Sequence, residues 1–228
     1  MLHHLVAEPL KKETTSKSKP PLLLLLHGYG SNEEDLFGML QSFDERFLVM
    51  SLRAPFEIEQ GSYFWFPYKI LSDGGIQFDE KAALHSGNKV LGMIDFAIEK
   101  YGIDPDRVFA MGFSQGASLS LGAMLMSPKH FMGIIAMSGG GLRPSMIPSE
   151  KNESYNHLRV MLTHGIFDTL LPIHHGRQSE KELRRLPLDL TYREYSMGHE
   201  VSSESLADIT QWMSHSLNLA PREGVRVV

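Results

Sequence analysis

The amino-acid sequence predicts an α/β fold in which helices cover both faces of a mostly parallel central sheet. Three observations support this prediction. Short runs that are apolar at every position recur along the chain, which is typical of parallel strands buried on both faces. Helical patterns lie between these runs, so that strand and helix alternate. Hydrophobic residues make up 42% of the 228 residues, enough for a large core.

The predicted strands are apolar segments bounded by turn residues. An edge strand is expected at residues 5–10, followed by strands at 22–26, 47–52, 108–111, 133–137, 159–163 and 190–195. The strand at 108–111 follows Asp104-Pro105-Asp106, a combination typical of turns.

Helices are predicted between these strands. Ser31 and Glu34 have the spacing of a capping box, which predicts a helix from there through Leu40. Apolar residues at helical spacing predict a helix over residues 80–101, and a further helix is expected after Pro172, beginning at His174 and His175. The last helix carries an apolar stripe formed by Leu206, Ile209, Met213 and Leu217.

The domain organisation follows from the absence of repeats and of long linkers. Residues 1–20 are expected to hold the edge strand and a polar, lysine-rich loop, and residues 221–228 to form a loose tail. A length of 228 residues is common for one α/β domain, so that the whole chain is predicted to be a single domain.

Charge and composition exclude several classes of function. The formal net charge is −5 and the chain has no basic block, which argues against nucleic-acid binding. Because there is no cysteine, disulfides, thiolate metal sites and a cysteine nucleophile are excluded. No segment has the pattern of a signal peptide or a transmembrane helix, so that a cytoplasmic protein is expected.

The segment Gly112-Phe113-Ser114-Gln115-Gly116 has the pattern G-x-S-x-G. A predicted strand precedes it, and a stretch rich in Ala, Leu and Met, typical of a helix, follows it. A serine at such a strand-to-helix corner lies in a strained turn that exposes its hydroxyl. The position predicts Ser114 as a nucleophile.

A serine nucleophile needs a base and a group that orients the base. Asp168 follows the strand predicted at 159–163, and His199 follows the strand predicted at 190–195. The carboxyl ends of parallel strands are where such residues gather, and the chain order Ser, Asp, His is that of G-x-S-x-G hydrolases. Asp189 and Glu194 remain alternatives for the orienting acid.

Backbone donors for an oxyanion are expected at two corners. One is the N–H of Gln115, directly after the nucleophile, and the other is the N–H of Tyr29 in the glycine-rich corner that follows the strand at 22–26. His27 and His164, each followed by glycine, are interpreted as structural residues whose rings are hydrogen-bonded near the site.

A metal site or a cofactor is not expected. The segment His199-Glu200-Val201-Ser202-Ser203 begins like the zinc motif H-E-x-x-H, but Ser203 stands where the second histidine ligand belongs. The glycine-rich segments complete neither a dinucleotide nor a P-loop motif.

These motifs together resemble the small carboxylesterase, lysophospholipase and acyl-protein thioesterase family of α/β-hydrolases. The resemblance runs from about residue 22 to residue 217 and implies the α/β-hydrolase fold. It also implies Ser114, Asp168 and His199 as catalytic triad, with the backbone N–H groups of Tyr29 and Gln115 as oxyanion hole. The family often has leucine and aspartate in the first loop, where this chain has Tyr29 and Ser31.

Trp65, Phe66 and Leu171 are the candidate substrate-binding residues. The first two belong to an aromatic segment, residues 63–68, that can form an apolar wall for an acyl chain. The same segment can instead belong to the core or to a homodimer contact.

The expected function is hydrolysis of carboxylic esters, thioesters or lysophospholipids through an acyl-enzyme, with a small-molecule ester or acyl substrate. A ligand-binding protein on a hydrolase scaffold and a peptidase of the same fold are the alternatives.

Overall fold

A computed structural model describes residues 1–11, 19–72, 75–148 and 153–219. The strands are β1 His4–Ala7, β2 Leu22–Leu26, β3 Leu48–Leu52, β4 Phe56–Glu59, β5 Ser62–Phe64, β6 Tyr68–Ile70, β7 Ile76–Phe78, β8 Val108–Phe113, β9 Gly133–Met137, β10 Arg159–Gly165 and β11 Asp189–Tyr195. The helices are α1 Glu34–Phe37, α2 Glu80–Tyr101, α3 Gln115–Met126, α4 His174–Leu183 and α5 Ser203–Asn218.

In this part of the chain the central sheet has seven strands in the order β1-β3-β2-β8-β9-β10-β11. All neighbours are parallel except β1, which pairs with β3 in the antiparallel sense. The edge strand lies at His4–Ala7 rather than at residues 5–10. The predicted α/β architecture, a mostly parallel sheet with helices on both faces, is confirmed.

The two faces of the sheet bury separate apolar clusters. Along β2, Leu22, Leu24 and Leu26 lie in one cluster with residues of α2, α3 and α4, because alternate side chains point to the same face. Leu23 and Leu25 lie in the other cluster with residues of α1 and α5. This two-sided burial explains why β2 is leucine throughout.

Helix α2 spans residues 80–101 as predicted. The side chain of Asp79 caps its first turn by accepting a hydrogen bond from the N–H of Ala82 at 3.0 Å. Gly102 ends the helix in the left-handed conformation, with φ at 65°, which glycine adopts without a Cβ penalty.

The predicted capping box at Ser31 and Glu34 is wrong. The side chain of Asn32 accepts the hydrogen bond from the N–H of Glu34, whereas Ser31 donates to the carboxylate of Asp35. The helix, α1, has only four residues and stops at Phe37, before a glycine and a 3₁₀ turn at Leu40–Ser42. Asn32, a preferred residue at helix starts, competes successfully with the serine.

Two hairpins that the sequence did not predict, β4–β5 and β6–β7, lie between β3 and α2. They place the aromatic segment beside the carboxyl end of the sheet. The predicted polar loop falls mainly on residues 12–18 and the predicted loose tail on residues 221–228. Both lie outside the described residues.

Candidate active site

Ser114 occupies the corner between β8 and α3. Its backbone is strained, with φ at 53° and ψ at −113°, a combination that non-glycine residues rarely adopt. Two glycines permit the corner. A Cβ on Gly112 would overlap the backbone of Gly116, and a Cβ on Gly116 would overlap the carbonyl of Leu26. The local sequence therefore folds as expected for a strand-to-helix turn that exposes a serine.

The structure brings Ser114, His199 and Asp168 into one chain of hydrogen bonds. Oγ of Ser114 lies 2.9 Å from Nε2 of His199, and Nδ1 of His199 lies 2.6 Å from Oδ2 of Asp168. The carboxylate can only accept, so Nδ1 carries a proton and Nε2 is free to accept the serine proton. The imidazole has the tautomer that a general base requires.

The carboxylate of Asp168 is buried and fixed from both sides. Its Oδ1 accepts hydrogen bonds from the N–H groups of Leu170 and Leu171, at 2.9 and 2.8 Å, which leaves Oδ2 to the imidazole. The two alternatives do not reach His199 in this way. Glu194 is paired with Arg177, and Asp189 lies at the opposite end of β11.

His27 and His164 are both buried, and burial lowers the pKa of each ring. Nδ1 of His27 donates to the carbonyl of Gly28, while its Nε2 accepts from the N–H of Ala54. Nε2 of His164 contacts the carbonyl of Leu171 at 2.7 Å. The rings are hydrogen-bonded near the site, as the structural interpretation requires.

The two expected oxyanion donors belong to segments that meet at the nucleophile. Gln115 is the first residue of α3 and lines the same cavity as Ser114. Gly28, next to Tyr29, lies so close that a Cβ on it would stand 3.6 Å from Cβ of Ser114. The ring of Tyr29 turns outward, is 45% exposed and packs on Phe64.

A cavity of about 560 Å³ opens at Ser114. One wall is formed by Ser114 together with the residues of helix α3 that face the cavity, which are Gln115, Ser118, Leu119, Leu121, Gly122, Leu125 and Met126. The remaining wall is mainly apolar and includes Phe66, Ile76, Phe78, Ala83, Leu84, Leu142, Met146, Leu170 and Leu171. A volume in this range is typical of small-molecule sites.

The predicted substrate residues divide into two groups. Phe66 and Leu171 line the cavity. Trp65 does not, and the expectation that it contacts substrate is corrected, because its side chain is fully buried in the core with its indole N–H bonded to the carbonyl of His27.

The sequence analysis missed the wall that α3 contributes. Ser114, Ser118, Gly122 and Met126 follow one another at intervals of four residues and therefore share a helix face. The first three are small and the fourth is a flexible methionine, which is a signal that the face borders open space. The wall formed by Leu142 and Met146 comes from a loop and the short 3₁₀ helix Pro144–Met146, where the sequence has no such pattern.

Residues 1–11, 19–72, 75–148 and 153–219 hold neither a candidate metal cluster nor a membrane-spanning helix. These ranges contain no group of three or more His, Asp or Glu side chains that could hold a metal ion. They also contain no helix long and apolar enough to cross a bilayer.

Comparison with known proteins places these features in a family. The chain is 28% identical to the carboxylesterase SOBER1 of Arabidopsis thaliana over 152 residues, 66% of this chain and 64% of that protein. It is 31% identical to acyl-protein thioesterase 1 of Kluyveromyces lactis over 122 residues, 52% and 54% of the two chains. The matches thus span less than two thirds of either relative.

A crystal structure of the Bacillus cereus carboxylesterase superposes on 95% of this chain with a TM-score of 0.78 and 22% identity, which shows the common fold. The family model described as phospholipase/carboxylesterase matches residues 10–217. That range contains the serine corner, the aspartate, the histidine and both glycine-rich corners, and the chain belongs to the phospholipase/carboxylesterase family of α/β-hydrolases.

Proposed function

We propose that this protein is a serine hydrolase that cleaves carboxylic ester bonds through an acyl-enzyme intermediate. One observation carries the proposal: the hydrogen-bonded chain of Ser114, His199 and Asp168 begins at the mouth of an apolar cavity. A strained serine, a base with the correct tautomer and a binding space for an acyl group are the parts that this chemistry needs.

In the first half-reaction, Oγ of Ser114 attacks the carbonyl carbon of the ester while Nε2 of His199 takes the hydroxyl proton. Asp168 holds the imidazole and stabilises the imidazolium that forms. The carbonyl oxygen becomes an oxyanion, and the N–H groups of Tyr29 and Gln115 bind it. Each such donor typically lowers the barrier by about 3–4 kcal/mol.

Collapse of the tetrahedral intermediate breaks the bond to the leaving group. His199 returns its proton to the departing oxygen, or to the sulfur of a thioester, and the acyl group remains on Ser114. In the second half-reaction His199 accepts a proton from water, which attacks the acyl-enzyme. The acid is released, and the serine regains its proton.

The cavity favours an apolar acyl group as the part of the substrate that is recognised. It follows α3 from Ser114 to Met126, twelve residues further on, which is roughly 18 Å at the rise of a helix. Such a length suits medium to long chains. The names of the plant carboxylesterase and the yeast thioesterase support esters and thioesters as substrates, and lysophospholipids share the same acyl chemistry.

The nucleophile assignment is tested with Ser114→Ala and an aryl ester. We expect kcat to fall on the order of 10⁴- to 10⁶-fold, together with loss of labelling by a fluorophosphonate probe. Ser118→Ala is the matched control, because Ser118 lines the same cavity one helical turn away. Wild-type turnover in Ser114→Ala would refute the assignment.

Labelling and substrate preference together separate the alternatives. A ligand-binding protein on this scaffold would leave Ser114 unmodified, and a peptidase would hydrolyse peptide substrates in preference to aryl esters. A cytoplasmic location, a homodimer and the absence of nucleic-acid partners stay predictions from the sequence.

A further inference from the structure

Trp65 uses every polar group that it has to join separate parts of the site. Its backbone N–H donates to Oε1 of Gln115 at 2.7 Å, and its indole N–H donates to the carbonyl of His27 at 2.9 Å. Its own carbonyl accepts from Oγ of Ser86, on α2, at 2.6 Å. The residue is fully buried, so each of these bonds forms away from water.

Two of the three hydrogen-bond partners of Trp65 belong to the segments that carry the proposed oxyanion donors. Gln115 provides one N–H itself, and His27 lies two residues before Tyr29, which provides the other. Trp65 is bonded to the side chain of the first and to the backbone of the second. Trp65 therefore adds a second connection between the two donors, beside the direct pairing of β2 with β8.

Further bonds stiffen the same connection. Nε2 of Gln115 donates to the carbonyl of Phe66 at 2.7 Å. The side-chain amide of Gln115 is therefore bonded to the backbone of both Trp65 and Phe66. On the other side, the backbones of Gly30 and Tyr63 are joined by a 2.8 Å hydrogen bond. The ring of His27 packs against the indole at 5.3 Å between centroids. A buried network in which each polar group is paired holds its members rigidly.

We propose that Trp65 is a positioning residue whose buried hydrogen bonds set the spacing of the Tyr29 and Gln115 N–H groups around the oxyanion. The proposal rests on the esterase function proposed above. Oxyanion donors act only when they stand 2.7–3.1 Å from the developing charge, and removing one typically costs about 10²- to 10³-fold in kcat. A donor that is displaced but still present lowers kcat by a smaller factor.

The test is Trp65→Phe, which keeps an aromatic ring and removes the donor to His27. With a p-nitrophenyl ester we expect kcat to fall about 10- to 100-fold, less than for loss of a donor, while KM changes less than about threefold. The affinity for an alkyl boronic acid, which forms a tetrahedral adduct on the serine, should fall by the same factor as kcat. A purely structural role would lower the melting temperature and leave both kcat and the affinity for the boronic acid at their wild-type values.

Trp212→Phe is the matched control, because Trp212 is the other tryptophan of the chain and packs on the opposite face of the sheet. It should keep wild-type kcat. A folded Trp65→Phe enzyme with wild-type kcat and boronate affinity overturns the proposal. A rise in KM at constant kcat also does so, since it would assign Trp65 to the substrate cavity.

If Trp65→Phe does not fold, Gln115→Met decides by the same measurements, because it retains the backbone N–H and loses both side-chain bonds. Wild-type kcat in folded Gln115→Met counts against the positioning role. Failure of both variants to fold at any temperature also counts against it, because the role of Trp65 would then not be separable from stability. If Ser114→Ala hydrolyses the ester as fast as the wild type does, the esterase function itself is refuted.

Discussion

Oγ of Ser114 lies 2.9 Å from Nε2 of His199, although the two residues are 85 positions apart in the chain. The strands that precede them, β8 and β11, are separated in the sheet by β9 and β10. The loop after β11 folds back across the end of β10, where the N–H of Phe167 donates to the carbonyl of Met197 at 3.0 Å. Gly165 permits this approach, since a Cβ there would overlap the backbone of the loop.

Asp168→Asn is expected to lower kcat about 10³- to 10⁴-fold. The amide oxygen should take the place of Oδ1, because that position accepts two backbone N–H groups. The amide NH₂ then faces Nδ1 of His199, which can no longer donate, and the imidazole adopts the tautomer with its proton on Nε2. Steady-state kinetics with a p-nitrophenyl ester measure the loss.

Glu194→Gln provides the control for this prediction. Its carboxylate is held by Arg177 and by the hydroxyl of Tyr192, so that kcat should stay within about threefold of wild type. A large loss in Glu194→Gln with little loss in Asp168→Asn would show that the orienting acid is misassigned.

Gly122→Leu is expected to shorten the acyl chains that the enzyme accepts. A Cβ on Gly122 would meet open space, and the residue lines the cavity, so a leucine there extends into it. Eight residues of helix place it roughly 12 Å from Ser114. We expect kcat/KM for dodecanoyl and longer esters to fall at least about 10-fold, with butyryl esters unaffected.

Gly92→Leu is the matched substitution for Gly122→Leu. Gly92 also meets open space and lies on α2 outside the cavity, so that the chain-length profile should not change. Equal losses for short and long esters in Gly122→Leu would contradict an acyl chain that runs along α3.

The sequence predicted the structure best where a local pattern is compatible with only one kind of structure. β2 and the span of α2 followed from unbroken burial and from helical periodicity, and the serine corner from the two glycines that fit its close contacts. The order of the loops after β8, β10 and β11 was sufficient to select Ser114, Asp168 and His199.

The remainder depended on contacts between distant residues. Trp65 looked like part of a binding wall because aromatic side chains suit both walls and cores, and only its full burial and its bond to His27 place it in the core. Asn32 displaced Ser31 as the group that receives the first N–H of α1 through a local competition that spacing does not resolve. The hairpins were missed because their strands are short and half-exposed.

Gly116→Ala is expected to destabilise the fold by about 3 kcal/mol or more. The new Cβ would overlap the carbonyl of Leu26 and stand 2.6 Å from that of His27, and neither is a flexible side chain. Gly92→Ala, at an exposed helix position with open space, should instead stabilise by about 0.5–1 kcal/mol. Urea unfolding of both variants measures the difference, and equal stabilities would contradict the close approach.

Acid is expected to weaken the fold through His27 and His164. Burial lowers the pKa of both rings in the native state, whereas in the unfolded chain each titrates near the ordinary value of about 6.5. As the pH falls below about 6.5, the unfolded state binds protons that the native state does not, so the free energy of unfolding decreases. Each histidine contributes a slope of at most about 1.4 kcal/mol per pH unit.

His164→Gln isolates one part of this dependence. Its amide can donate to the carbonyl of Leu171 as Nε2 of the histidine does, but it does not titrate. Urea unfolding between pH 8 and pH 5 should therefore show a shallower loss of stability in the variant than in the wild type. Parallel curves would mean that His164 takes up protons equally in both states, because a group affects the pH dependence only through the difference between them.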